Sequence, residues 1–201
     1  QYIRIIDYKS SIKDIDLNEV KAGIKLQLLT YMNEMCKQES AEPAGAFYYN
    51  LIEPMVKASQ NMSDEQIEEE LRKQFKMRGL ILADVDIIRK MDKNLDTGSS
   101  NIIPATINKD ETLSKKASNI SKQQFEYLQK YTNKIIKQIS EEILSGNINI
   151  KPYYNTKNKK TPCEYCTYKS ICQFGNGICK KEYNYISNLE KEAILEMMKE
   201  K

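Results

Sequence analysis

The order of strand-like and helix-like segments limits the fold of this chain more than any other feature of its sequence. Residues 2–8 and 46–52 are rich in β-branched and aromatic residues and are followed by polar or Pro-containing segments, as strands are. Residues 17–38 and 121–146 carry apolar residues at helical spacing. This alternation favours an α/β (α+β) fold with helices flanking a small mixed sheet, and 201 residues suffice for one such core.

Local signals predict shorter elements between these segments. Ser63 and Gln66 match a capping box that opens a helix to about residue 77, and Asp84 can cap a short helix that ends near residue 91. Residues 94–116 are polar, and we expect a mobile loop there outside a short strand at 102–107. The remaining predicted elements are strands at 79–82 and 102–107 and a helix at 183–201.

Composition excludes several classes of protein. The chain has no His, which removes Ser-His, Cys-His and His-metal chemistry and leaves carboxylates, Lys, Tyr and Cys. There is neither a transmembrane-length apolar run nor a signal peptide, and we expect a cytoplasmic protein. The chain enters a strand directly at Gln1, and because a strand needs a neighbour to pair with, we expect a fragment whose upstream part is missing.

Asp7 and Lys9 are the first candidates for chemistry. They lie two residues apart in a predicted strand, so both side chains project from one face. A carboxylate that binds Mg²⁺ or Mn²⁺ beside an ammonium that orients water suits metal-assisted phosphoryl hydrolysis. The alternative is a surface ion pair near a strand end, and Glu19-Val20-Lys21 shows that the same spacing also occurs in a predicted helix.

Gln27 and Tyr31 are four residues apart on the next predicted helix and therefore share one of its faces. That face is offset from the apolar row of Val20, Ile24, Leu28, Met32 and Cys36. A Gln and a Tyr beside the Asp7–Lys9 strand could contact the same phosphate. The alternative is a partly buried Tyr with a Gln neighbour.

Four of the five cysteines lie in the irregular segment 147–181. Cys163, Cys166 and Cys172 have the spacing C-x2-C-x5-C, and without His such thiolates suit an iron–sulfur cluster or a four-thiolate zinc site. The fourth ligand could be Cys179, Cys36 or a cysteine upstream. The alternative is a set of unligated thiols.

The last third of the chain combines basic residues, which can neutralise phosphates, with aromatic residues, which can stack on bases. A solvated Lys-rich surface is the alternative, since the net charge is only +3. The residues are Lys151, Lys157, Lys159, Lys160, Lys169, Lys180 and Lys181, with Tyr153, Tyr154, Tyr165, Tyr168 and Tyr183.

Several segments, taken together and in order, resemble a known family. They are residues 6–11, 27–31, 43–49, 79–82, 101–105, 162–166 and 171–174. This set resembles the C-terminal nuclease domain of the AddB family, which forms the second subunits of bacterial AddAB helicase–nucleases, in the RecB-like branch of the PD-(D/E)XK nucleases. The resemblance implies a restriction-endonuclease-like core, truncated on its N-terminal side, in residues 1–146. It also implies an iron–sulfur segment with a C-terminal helix in residues 147–201.

The resemblance further implies a role for each candidate residue. Asp7 and Lys9 would be the acid-x-Lys motif, with Asp7 as a metal ligand, and Gln27 and Tyr31 would be the Gln-x-x-x-Tyr motif. The three thiolates of a [4Fe–4S] cluster would come from Cys163, Cys166 and Cys172. DNA would be the substrate, and the partner would be the AddA helicase–nuclease subunit, in double-strand break repair and recombination.

The chain departs from the family pattern at its N-terminal side. The family places a first cluster cysteine, a second metal-binding Asp and a His upstream of the acid-x-Lys strand, and none of them is present. We therefore expect the isolated chain to cleave no DNA and to hold no stable [4Fe–4S] cluster. The alternatives are a non-catalytic, cysteine-clamped DNA-binding module and a Cas4-like exonuclease, which would have its own N-terminus.

Overall fold

The computed structural model describes residues 1–55, 62–114, 118–174 and 182–199. Its strands are β1 Tyr2–Lys9, β2 Glu42–Asn50, β3 Arg78–Leu82, β4 Gly98–Ser99, β5 Thr106–Ile107, β6 Asn119–Ile120, β7 Tyr153–Asn155 and β8 Asn184–Ile186. Its helices are α1 Leu17–Lys21, α2 Gln27–Gln38, α3 Asp64–Gln74, α4 Val85–Met91, α5 Lys122–Leu144, a 3₁₀ turn Pro162–Glu164, α6 Lys169–Cys172 and α7 Lys191–Lys199.

The main sheet has four strands in the order β1-β2-β3-β6. β1 runs parallel to β2, β2 runs antiparallel to β3, and β3 runs parallel to β6. The register places Asp7 beside Tyr48 and Tyr8 beside Tyr49. The predicted mixed sheet flanked by helices is therefore confirmed.

Each face of this sheet has its own apolar layer. α2 packs on β1 and β2 and buries Leu28, Met32 and Cys36. Successive residues of a strand point to opposite faces, so Phe47 lies on the face away from its neighbour Tyr48. A second buried cluster surrounds Phe47, and it contains Met77, Ile81, Ile88, Leu95, Ile103, Ala105 and Ile107.

The predicted caps of two helices are confirmed. Ser63 and Gln66 form a reciprocal capping box at the start of α3, and the Asp84 carboxylate accepts from the backbone N–H of Ile87 at the start of α4. In the same way, Ser121 and Gln124 exchange hydrogen bonds at the start of α5. Each cap satisfies backbone donors that have no partner inside the helix.

The prediction of one continuous helix over residues 17–38 is wrong. The segment forms α1 and α2, which are separated by residues 22–26. Gly23 has φ +79° and Lys25 has φ +57°, both in the left-handed region that ends a right-handed helix. Val20 therefore does not continue the apolar row of Leu28 and Met32, although the spacing in the sequence suggested it.

The prediction of a mobile loop in residues 94–116 is wrong for its described part up to 114, and the strand predicted at 102–107 is confirmed only at Thr106–Ile107. β4 and β5 form a short hairpin, and Ile103, Ala105 and Ile107 are buried in the core. The buried Asp92 carboxylate accepts a hydrogen bond of 2.6 Å from Ser100 Oγ, which itself accepts from the N–H of Ile103. Apolar burial and this network order a segment that its polar composition suggested was mobile.

The C-terminal prediction needs a similar correction. Residues 184–186 form β8, which pairs with β7, and the helix begins only at Lys191. Segment 147–181, predicted as irregular, contains β7, the 3₁₀ turn and α6 in its described part.

Contacts divide the chain into two compact units, residues 1–15 with 27–129 and residues 16–26 with 130–201. The division at residue 146 stays a prediction. Inside the second unit, Asn18 binds the backbone of Leu189 and accepts from Ser187 Oγ. Across the described ranges, no helix has the length and apolar content needed to cross a membrane.

Candidate active site

Asp7 and Lys9 lie near the end of β1 and project from the same face of the sheet. Lys9 Nζ lies 2.8 Å from Asp7 Oδ2, and the two side chains are 30% and 21% exposed. Leu51 donates its backbone N–H to the carbonyl of Lys9, which fixes the strand at this position. The predicted juxtaposition of a carboxylate and an ammonium is therefore present and open to solvent.

Gln27 and Tyr31 occupy the first turns of α2 on its exposed side. Gln27 Nε2 donates to Tyr31 Oη at 3.0 Å, and Lys9 Nζ makes a longer, weaker contact of 3.4 Å with Gln27 Oε1. The four predicted side chains therefore form one row, from Asp7 through Lys9 and Gln27 to Tyr31. We call this set the acid–lysine row.

Two further residues support the acid–lysine row, and neither was singled out from the sequence. The buried ring of Tyr48 lies under Lys9, with 5.7 Å from Nζ to the ring centroid, a cation–π distance. Asn50 is also buried, and its side chain binds both the N–H and the carbonyl of Lys13, which holds the segment after β1 against β2. The only feature of the sequence that could have indicated Asn50 is that a polar residue ends an otherwise apolar strand.

The electrostatics keep Lys9 charged. The Asp7 carboxylate, through its contact with Nζ, raises the pKa of Lys9 above its ordinary value, although partial burial opposes this. The ammonium therefore remains protonated throughout the neutral range. It is a fixed positive charge on this face.

The donor chemistry at Asp7 fits a hard divalent cation. Asp7 Oδ2 is buried, and although it lies within ion-pair distance of Lys9, it accepts no hydrogen bond of acceptable geometry from the described residues. A buried carboxylate oxygen with an unused lone pair suits Mg²⁺ or Mn²⁺, since Mg²⁺ is commonly held by one or two carboxylates together with phosphates and water.

The cysteines are not brought together in the same way. Cys163 lies in the 3₁₀ turn, Cys166 follows it on the surface, and Cys172 ends α6, all as free thiols. Within the described ranges, no three His, Cys, Asp or Glu side chains gather closely enough to hold a metal ion. Cys179 lies outside the described residues.

Cys36 belongs to α2, in the other compact unit. Its side chain is buried, its sulfur lies 3.7 Å from that of Met32, and burial raises the pKa of the thiol. It packs in the core as an apolar residue does.

Comparison with known proteins identifies the class to which this fold and site belong. Residues 1–173 match the model of the PD-(D/E)XK nuclease superfamily, and the chain belongs to that superfamily. Its members are nucleases that generally use divalent metal ions.

Individual relatives show which members of the superfamily the chain resembles. The chain is 42% identical over 98% of its length to the B subunit of the ATP-dependent helicase/deoxyribonuclease of Thermoanaerobacter sp.. It is 40% identical over 99% of its length to the corresponding protein of Bacillus thuringiensis, and 38% identical over 98% to that of Acetivibrio thermocellus. The chain spans only 17–18% of the length of these relatives. The resemblance to the AddB family is therefore confirmed.

Proposed function

We propose that this chain is the nuclease part of a subunit of an ATP-dependent helicase–deoxyribonuclease, and that its residues hydrolyse DNA phosphodiester bonds within the full-length subunit. The observation that carries the proposal is the acid–lysine row, in which an acid, an ammonium, an amide and a phenol line one exposed surface. The names of the relatives support DNA as the substrate. Processing of double-strand breaks for repair and recombination would be the cellular role.

Each residue of the row has a role in this proposal. Asp7 holds Mg²⁺ or Mn²⁺, and the ion when bound supplies Lewis-acid polarisation of the phosphate and a more acidic water. Lys9 orients water and offsets the negative charge that develops on a phosphoryl oxygen. Gln27 and Tyr31 position the phosphate by hydrogen bonds, and Tyr48 supports the ammonium of Lys9 from below.

The proposal also covers the partner and the cofactors. AddA, the helicase–nuclease subunit, would be the partner, and ATP would be consumed by helicase activity, since the 201 residues contain no Gly-rich phosphate-binding motif. In the full-length subunit, Cys163, Cys166 and Cys172, which are free thiols in this structure, would bind a [4Fe–4S] cluster together with one further thiolate. We place the protein in the cytoplasm, where DNA is processed in bacteria.

The test is made in the full-length subunit that carries these residues. We expect Lys9→Ala and Asp7→Asn each to reduce Mg²⁺-dependent cleavage of single-stranded DNA by about a hundredfold or more, since each removes a charge from the site of reaction. The double variant should lose little more than either single variant, because the two groups act as a unit. Release of acid-soluble label from DNA is the measurement.

A matched control lies in the same chain. Glu19 and Lys21 have the same acid-x-Lys spacing on α1, and Lys21→Ala should leave cleavage unchanged. If Lys9→Ala also leaves cleavage unchanged, these residues are not the active site, and the non-catalytic DNA-binding module becomes the better interpretation.

A further inference from the structure

A cavity lies on the face of the sheet opposite the acid–lysine row. Its volume is about 590 Å³, within the usual range of ligand pockets, and it is open to solvent. Tyr49 lines it, and because Tyr49 follows Tyr48 in β2, its ring points away from the face that carries Asp7 and Lys9. The cavity is therefore separate from the candidate active site.

Aromatic rings form one wall of this cavity. The rings of Tyr49 and Phe75 are nearly parallel, at 15°, with centroids 6.4 Å apart. The exposed ring of Tyr8 continues the row by an edge contact of 5.7 Å with Tyr49. Partly exposed, mutually braced rings at a cavity mouth offer a stacking surface for a planar base.

Positive charge lies beside these rings. The half-buried Lys76 follows Phe75 directly, and its Nζ donates to Ser99 Oγ at 3.1 Å, on the cavity wall. Within the described part of the chain, no carboxylate lies within 4.0 Å of this ammonium, and burial lowers its pKa. Arg72, also on the wall, is exposed, and among the described residues it pairs with Glu68. A partly desolvated cation without a counter-charge is suited to a phosphate.

Polar groups on the rest of the cavity wall can form hydrogen bonds with a base. Asn94 and Asn101 present exposed amides, and the carboxylate of Asp92 lies deeper. That carboxylate is already engaged, since it accepts from Ser100 Oγ and from the backbone N–H of Asn94. Its charge is buried, while the cations lie near the surface.

We propose that this cavity, lined by Tyr49, Phe75, Ser99 and Asn101, binds one unpaired nucleotide of a DNA strand. The base would lie on the rings, and the phosphate would contact Lys76, whose ammonium reaches the wall at Ser99. The choice of DNA over another nucleotide ligand rests on the proposed function. The site itself is independent of Asp7 and Lys9, so the strand it holds is bound away from the hydrolytic face. It thereby anchors single-stranded DNA outside the active site.

The experiment measures binding of a short fluorescein-labelled oligothymidylate to the 201-residue chain by anisotropy, in EDTA so that no cleavage occurs. Phe75→Leu keeps an apolar side chain and removes the ring, and we expect about fivefold weaker binding or more. An abasic oligonucleotide of equal length should bind more weakly and show no dependence on Phe75. Equal loss on both oligonucleotides would overturn base stacking at this site.

Lys76→Gln tests the phosphate contact. It should reduce the magnitude of the slope of log affinity against log salt by about 0.7, the value for one single-strand phosphate. Lys90→Gln is the matched control, because Lys90 is exposed in the same unit and, among the described residues, makes no hydrogen bond to the cavity wall such as Lys76 makes to Ser99, so it should leave the slope unchanged. A slope that Lys76→Gln does not change would overturn the phosphate assignment.

Location and folding are checked independently. An oligonucleotide carrying 4-thiothymidine should photocross-link to the peptides that contain Tyr49 or Phe75, and cross-links confined to other peptides would overturn the proposal.

If circular dichroism shows that Phe75→Leu does not fold, Asn101→Ala, at an exposed position, replaces it. Thymidine monophosphate that competes as well as the oligonucleotide would instead assign the cavity to a free nucleotide. Because binding is read without cleavage, failure here leaves the hydrolytic proposal untouched, and the reverse holds for the Lys9 test.

Discussion

Two lysines of the same compact unit lie in opposite electrostatic environments. Lys9 lies 2.8 Å from the Asp7 carboxylate, which raises the pKa of its ammonium. Lys76 has a hydroxyl partner, Ser99 Oγ, and burial lowers its pKa. The ion pair with Asp7 therefore stabilises the charged form of Lys9. In contrast, keeping Lys76 charged in the folded state lowers the free energy of unfolding.

This cost should appear in the pH dependence of stability. The unfolded chain holds the Lys76 proton up to the ordinary pKa of 10.5, and the folded chain releases it at a lower pH. Between the two pKa values the unfolded state binds more protons, so stability rises with pH through this window. Lys76→Met removes the cost, and we expect its Tm to exceed that of the wild type by about 2 °C at neutral pH.

The measurement is the difference in Tm between Lys76→Met and the wild type from neutral pH to 10.5. The difference should be constant below the lowered pKa and shrink towards 10.5. Lys90→Met, at an exposed position, should show no such trend. A difference that grows with pH would contradict the assignment of burial as the cause.

Residue spacing predicts only part of the candidate site. The alternation of a strand brings Asp7 and Lys9 together, and the helical repeat brings Gln27 and Tyr31 together, so both pairs were predictable. The contact between the pairs depends on how α2 lies on β1, which no local spacing encodes. Tyr48 was missed for the same reason, since it meets Lys9 only through the register of two strands that are distant in the sequence.

At the scale of elements, the sheet depends on a close approach between β2 and β3. Gly79 pairs with Phe47 in this antiparallel ladder, and its φ is +141°, a conformation that L-residues rarely adopt. A Cβ at this position would overlap the backbone carbonyl of Ala46. The overlapping atom is backbone in a central strand, so it cannot move aside as a side chain can.

Gly79→Ala should therefore destabilise the chain strongly. We expect a loss of at least about 3 kcal/mol in the free energy of unfolding, from backbone strain together with the lost close contact. Gly98→Ala is the control, because Gly98 also has a positive φ, +93°, but no atom lies within 4 Å of an added Cβ. It should cost about 1 kcal/mol. Urea unfolding of both variants measures the difference, and equal losses would show that the overlap with Ala46 is unimportant.

Element boundaries show where local signals fail. The caps at Ser63 and Asp84 were predictable because a side chain and backbone groups within three residues define them. The break at Gly23 was not, because helical spacing of apolar residues continues across it and the two helices bury those residues in different units. The same holds for Ile103, which local signals place in a short strand, whereas it lies in a bend that is buried in the core.

At the scale of the whole molecule, the chain corresponds to one part of its much longer relatives. The similarity covers 98% of this chain but 17% of the Thermoanaerobacter protein. In the acid–lysine row, Asp7 is the only carboxylate, and the described residues contain no group of three metal-binding side chains. A single carboxylate leaves most of the coordination of Mg²⁺ to water and phosphate, which gives weak binding.

We therefore expect the 201-residue chain alone to release no more acid-soluble label from single-stranded DNA, with Mg²⁺ or Mn²⁺, than its own Lys9→Ala variant does. The full-length subunit should cleave the same DNA, because we propose that acidic groups outside these 201 residues would complete the coordination of the metal ion. Circular dichroism of the chain serves as the control that the protein is folded. Metal-dependent release by the chain that Lys9→Ala removes would contradict this expectation, since residues 1–201 would then hold a complete site, and one carboxylate would be sufficient for the ion.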